Sequence, residues 1–437
     1  MTRQKHFKQL VRSRMAKTGE SYTTARRHVL AARTESDSTL SESPHFPGAH
    51  PETTALRAAL AHAGVTNPAT GDFFTEPMVF GIAGGVGAGV FHFYYAAEDF
   101  ASFYVAGRHR WHESDAYVHD ACQRFGVTPT ALETGAKKKA ATNLADAVDA
   151  TGCAIAWVEM ALLAYRGIPS FYAGGGYHVI TVYSLTDDEA LIGDLTDEPI
   201  AIPLADLAEA RARIKKQKNR VLTVSGPQQD FDVREAVLAG VKACHDGLQN
   251  QRMKNFTLEA FKTWADRMHG SSGKESWEQV FPPGHRLLQG LRSVYDFVEH
   301  YHTGGGLMRP LYAAFFTEAA TALNDGAFTP LAEMYADLGR LWGELADAAL
   351  PDSVAPFREA KELLARREEV FLSQGAAATE EVKGIWTQLT ALEQAMSKEF
   401  PLTDAESATL RAELKERILE IFAKECAAHE ALGSLVG

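Results

Sequence analysis

Between Gly174 and Asp194 the chain reads GGGYHVITVYSLTDDEALIGD, the stretch that most tightly constrains the fold. Three glycines lead into His178, and a β-branched apolar run follows. The polar turn Thr186-Asp187-Asp188-Glu189 comes next, then a second apolar run that closes on Asp194. Two short strands around a polar turn predict a β-hairpin. If the turn centres near Asp187, residue 180 faces roughly residue 194. His178 and Asp194 then meet at one end of the ladder although they stand 16 positions apart. A carboxylate beside an imidazole orients the ring and stabilises its cation, which is the chemistry of a general base. The alternative is a hairpin whose polar ends are merely solvated.

The rest of the chain can support such a corner. With 437 residues, 46% of them hydrophobic, it can bury a large core, and two or three domains are expected. No apolar run reaches membrane-spanning length, and the charged N-terminus lacks the apolar segment of a secretory signal, so a cytoplasmic protein with no membrane partner is expected. Cys122, Cys153, Cys244 and Cys426 lie far apart and form no CxxC pair, which suits reduced thiols. His109, His112 and His119 lack a Cys or carboxylate to complete a metal set and read as surface histidines. Neither metal nor cofactor is expected.

Charge is distributed unevenly. Residues 1–34 hold nine Lys/Arg against Glu20 alone, a net +8, which leaves −20 for the remainder. Lys5, Lys8, Arg12, Arg14, Arg26 and Arg27 line a basic arm of two short helices around Lys17-Thr18-Gly19. Such an arm suits an acidic partner, with a solvated or self-docked appendage favoured over nucleic acid. Residues 35–48, rich in Ser, Thr, Glu and Pro, read as a linker.

The folded body begins at His50, with Pro51 in the first turn of a helix that Gly64 ends. The glycines of FGIAGGVGAGV lack the Lys-Ser/Thr of a phosphate loop, and an aromatic strand stands where a helix is required. They read instead as close backbone packing before a buried strand. Residues 98–150 read as helical and partly exposed. Cys153, in the apolar run GCAIAWVEM, reads as a core residue, with a nucleophile as the lesser alternative.

Taken together, the helix start HPETTAL, the block EPMVFGIAGGVG at Glu76–Gly87, the strand GGGYHVITVYS and the following IGD resemble the N-terminal domain of the butirosin biosynthesis acyltransferase (BtrH) family. The resemblance covers about a third of the chain. It implies an α+β, papain-like domain with a Cys-His-Asp arrangement, His178 as base and Asp194 as its orienter. His50, Pro51, Glu52, Thr53 and Glu76 would belong to the helix start or cleft. The family's cysteine falls at Pro51, which has no nucleophilic group. KNFTLEAFKTWADRM and MRPLYAAFFTEAATAL resemble the helical domain that commonly follows.

The expected divisions are 1–34, 35–48, 49–199 (papain-like), 200–351 (helical) and 352–437 (a C-terminal helical bundle). His300, His302 and Gly304–Gly306 form a turn with no assigned chemistry. Two classes of function stay open. One is a binding or scaffolding protein that has lost its nucleophile and takes an acyl carrier protein, a peptide or a small ligand. The other is an acyltransferase or amide-forming or amide-hydrolysing enzyme of secondary metabolism with a non-standard nucleophile. A homo-oligomer is compatible with either.

Overall fold

The computed structural model describes residues 44–437 apart from 98, 175–176 and 228–230. The basic arm lies outside the described residues. The body opens with α1 (Pro51–His62) and α2 (Glu76–Ile82). An antiparallel ribbon follows, β1 (Val86–Tyr95) with β2 (Phe100–Arg108). Then come α3 (Ser114–Arg124), β3 (Val127–Leu132), α4 (Lys137–Thr151), β4 (Ala154–Glu159) and β5 (Tyr177–Leu185). β6 (Glu189–Gly193), β7 (Ile200–Pro203), α5 (Leu204–Arg213) and β8 (Val221–Pro227) complete this region.

Strands β3 to β8 form one antiparallel sheet in the order β3-β8-β4-β5-β6-β7. All six residues of β4 are buried, as a central strand requires. In β7, Ile200 and Ile202 are buried while Ala201 and Pro203 are exposed, the alternation of an edge strand that tolerates proline. The sheet therefore extends past residue 199, into sequence read above as the start of the helical domain.

Helices make up the rest: α6 (Val233–Gln249), α7 (Glu259–Met268), α8 (Trp277–Val280), α9 (His285–Glu299) and α10 (Arg309–Ala322). They continue as α11 (Thr329–Ala349), α12 (Ala355–Gln374), α13 (Thr379–Lys398) and α14 (Asp404–Val436). Thr403 and Glu406 cap α14 reciprocally, each side chain bonding the other's backbone N–H. The chain is thus α+β, with a sheet-containing first part and a helical second part. One continuous buried cluster runs from Ala55 to Leu432 and joins the two.

Several local readings change. Residues 100–108 form a strand rather than a helix, because Ala101, Phe103 and Val105 face the core while β1 supplies the pairing. The glycine block does pack closely: a Cβ at Gly240 would stand 2.4 Å from the Gly81 carbonyl. Yet the far end of β1 is exposed at Phe93, Tyr94 and Tyr95. His109 is buried rather than on the surface, and burial, reinforced by Arg124 and Arg108, lowers its pKa to about 3. Residues 44–48 of the linker are packed, with His45 bonded to the Tyr183 hydroxyl at 3.0 Å and the Thr196 carbonyl at 2.9 Å.

Candidate functional site

The tip of α1 is built by its own cap. His50 is extended, and its Nδ1 accepts from the Thr53 N–H at 3.3 Å and meets Thr53 Oγ1 at 2.6 Å. That leaves the ring proton on Nε2, 3.1 Å from Glu52. Pro51 fits the first turn, where a missing N–H is harmless and its fixed φ is already helical. Across the loop, the Glu76 carboxylate accepts from the backbone of Ala49 (3.0 Å) and His50 (2.9 Å) and from the Thr54 hydroxyl (3.2 Å). Burial would raise the Glu52 pKa, but Arg108, 3.0 Å away, and His50 hold it well below the usual carboxylate range. Both hydroxyls beside Pro51 are thus engaged: Thr53 with His50 and Tyr117, Thr54 with Glu76.

The second corner is the hairpin end. Thr181 pairs with Gly193 and Val182 with Ile192, so the same register carried outward sets Ile180 opposite Asp194. His178 Nε2 lies 2.9 Å from Asp194 Oδ1, and both side chains are fully buried. α1 runs beside β5: His62 near its end stacks on Tyr183, and Glu52 at its tip acts on the charge of His178. Eleven helical rises and five strand rises each span about 16 Å, so the α1 tip stands level with His178. The Gly48 N–H, bonded to the Leu195 carbonyl, ties that tip to the residue after Asp194.

Asp194 has far more partners than one imidazole. Tyr165 donates its hydroxyl at 2.5 Å, Arg166 donates through Nε at 3.0 Å and Nη2 at 2.6 and 2.8 Å, and the Leu195 N–H adds another at 2.8 Å. Burial works to raise its pKa, but Arg166 and His178 drive it well below normal. For His178, burial first and Arg166 second lower the pKa, while Asp194 pulls the other way. Arg166 Nη2 is also 2.8 Å from His178 Nε2. With both Nη2 bonds directed at the carboxylate, the Nε2 proton goes to Asp194 as well. The remaining atom, Nδ1, is buried and has no partner among the described residues.

A helical-layer loop closes over this corner. After α9 the chain holds His302, Leu307 and Met308 at positive φ alongside Gly304, Gly305 and Gly306, a costly sequence of turns that packing must enforce. It lays the His302 ring on His178 at 4.8 Å, with Nε2 3.3 Å from Arg166 Nη1. Burial, then His178 and Arg166, push the His302 pKa well below its ordinary value. Phe371 of α12 lies 4.4 Å from the Arg166 guanidinium. Beside it, burial raises the Glu368 carboxyl to about 7 even though Arg367 and Arg166 oppose the shift.

Arg166, Tyr165 and His302 were not read from the sequence as site residues. AYRG carries no motif, and only the HTGGG turn had drawn notice. Cys153 lies in the core, as the leading reading of GCAIAWVEM has it, and away from the corner. His178 pairs with Val158, so Cys153 lies five residues up the neighbouring strand, about 16 Å away. Burial also pushes its thiol up to about 12. On the outer side of the Arg166 loop, a groove of about 560 Å³ opens between Gly167–Pro169 and Lys383, Trp386 and Ala391 of α13.

Residues 50–195 match the family model described as butirosin biosynthesis protein H, N-terminal, and residues 205–373 match a domain of unknown function, DUF4872. Among curated proteins, none matches the chain.

Proposed function

Residues 50–195 being a butirosin biosynthesis protein H N-terminal domain, we propose that the chain is a papain-like member of that family that binds or scaffolds instead of catalysing acyl transfer. The observation that carries the reading is Pro51 at the α1 tip. A nucleophile there would supply a sulfur for attack and a backbone N–H toward the developing oxyanion; proline supplies neither. Thr53 and Thr54 are engaged elsewhere, Thr53 with the cap residue His50 and Thr54 with Glu76. His178 Nδ1, the ring atom left to face a nucleophile, has no hydroxyl or thiol within hydrogen-bond reach among the described residues.

The ligand would be an acyl carrier protein, a peptide or a small molecule in an assembly step of secondary metabolism. The groove beside Gly167–Pro169 gives it space next to the buried corner. The test is incubation of the full chain with an acyl thioester, read by intact mass and product release. This reading expects no adduct and no turnover, with saturable binding of the acyl carrier or thioester; covalent acylation would overturn it. A second reading, acyltransferase chemistry with a nucleophile from elsewhere, is favoured by the His178–Asp194 contact of 2.9 Å. It expects turnover that His178→Ala abolishes while the fold persists.

A further inference from the structure

We propose that Arg166 is a positioning residue that acts as a charge brake on the His178–Asp194 pair, a departure from catalytic competence separate from Pro51. The inference rests on the non-catalytic reading above and explains why the corner would stay inert even with a sulfur at the helix tip.

A thiol–imidazole pair becomes reactive when the proton moves from sulfur to imidazole and a carboxylate stabilises the resulting cation. Here the carboxylate charge is already matched. Nε and Nη2 of Arg166 span both oxygens of Asp194, and the Tyr165 hydroxyl takes a further lone pair. The guanidinium also stands 2.8 Å from the nitrogen that would share the imidazolium charge. Four regions around His178 bear on this balance. Asp194 comes from the hairpin, Arg166 from the loop after β4, His302 from the helical layer and Glu52 from α1. Glu52 would favour a cation, but it is already ion-paired with Arg108 and bonded by His50 Nε2. Glu368, beside Arg166, is half-protonated near neutrality and only partly offsets the guanidinium. Arg166 is not free to swing away, because Phe371 covers it and Nη1 contacts Met160 Sδ at 3.2 Å.

The test puts the sulfur back in the full-length chain. In Pro51→Cys, the introduced thiol would pass its proton to His178 Nδ1 and form a C–S bond to the carbonyl carbon of an acyl thioester. The bond to the departing thiol breaks, and that sulfur takes the proton. Alkylation by iodoacetamide between pH 5 and 9, followed by peptide mass mapping, and acylation by an N-acetylcysteamine thioester read the outcome. Pro51→Cys alone is expected to titrate as an ordinary thiol near about 8.5. Adding Arg166→Gln is expected to lower that midpoint by about one unit and speed reaction at pH 6 by about tenfold, a gain that Pro51→Cys/Arg166→Gln/His178→Ala loses. Fast low-pH reaction of Pro51→Cys alone overturns the proposal, and so does an Arg166→Gln addition that changes nothing.

Should the Arg166 variants fail to fold, nitrogen NMR of the unsubstituted chain decides. Burial and Arg166 both favour a neutral ring protonated on Nε2 at pH 6, which is the result expected, and an imidazolium there removes the brake. A purely structural Arg166 would alter stability and leave the thiol midpoint where it was. Acylation of the unsubstituted chain would sink the non-catalytic reading itself, a result distinct from any of these.

Discussion

Two buried arginines in this molecule look alike until their remaining partners are compared. Arg309 donates to Glu425 at 2.8 Å, and both side chains are fully buried. Its other bonds go to the carbonyls of Leu307, Gly87 and Gly107, and the Trp342 indole N–H completes the cluster on Glu425. Those partners belong to the β1–β2 ribbon, the α10 start, α11 and α14, and apart from Glu425 none of them titrates. Arg166 makes the same kind of pair with Asp194, but its neighbours are two imidazoles and a phenol. Burial and ion-pair geometry therefore do not separate a strut from a site. Titratable side chains bonded directly to the pair do.

If that contrast is correct, the strut should show the largest cost when broken. Glu425→Ala leaves Arg309 as an uncompensated buried charge and is expected to lose about 3–5 kcal/mol in urea unfolding. A loss below about 1 kcal/mol would remove the contrast from that side.

Asp194→Asn should cost somewhat less, about 2–4 kcal/mol, because the amide still accepts from Tyr165 and Arg166. Its pH signature differs. The folded-state pKa of Asp194 is depressed, so its stabilisation is present above the unfolded value of about 3.9 and fades as pH falls through the lower folded value. The difference between parent and variant should hold from neutrality to about pH 4 and close in stronger acid.

The histidines sharpen the comparison further. His178 and His302 have lowered folded pKa values, so below about 6.5 the unfolded chain binds protons that the folded chain refuses. Stability should then fall with acidification by up to about 1.4 kcal/mol per pH unit for each ring. His302→Phe is expected to flatten the stability profile between pH 7 and 5.5 by about 1–2 kcal/mol.

How much of this was legible beforehand depends on sequence distance. The hairpin could be read because its pattern, turn and register all lie within residues 177–194. The α1 start was legible for the same reason: a proline, an acid and an alanine-rich face are local signals. β2 was misread because the alternation of Ala101, Phe103 and Val105 occupies a short span before a helical stretch, and its pairing depends on β1. Arg166 reaches Asp194 across 28 positions and His302 across 136, and no local pattern predicts either contact. His109 was placed outside because nothing near it announces Gly84 and Gly247, which pack against its ring.

The smallest expected effect belongs to Cys153, a buried polar group with no charged partner among the described residues. It is 2% exposed, and burial pushes its thiol up to about 12, so at neutral pH it is a compact apolar filler. A strand-length away from His178, it cannot exchange a proton with that ring. Cys153→Ala removes one sulfur from a packed site and is expected to cost about 1 kcal/mol, with reaction toward acyl thioesters unchanged. Unfolding and intact-mass experiments on the same sample check both halves. If the substitution instead abolished an adduct seen in the parent, Cys153 would be the nucleophile, and the distance and burial invoked against it would have to yield to a rearranged β4.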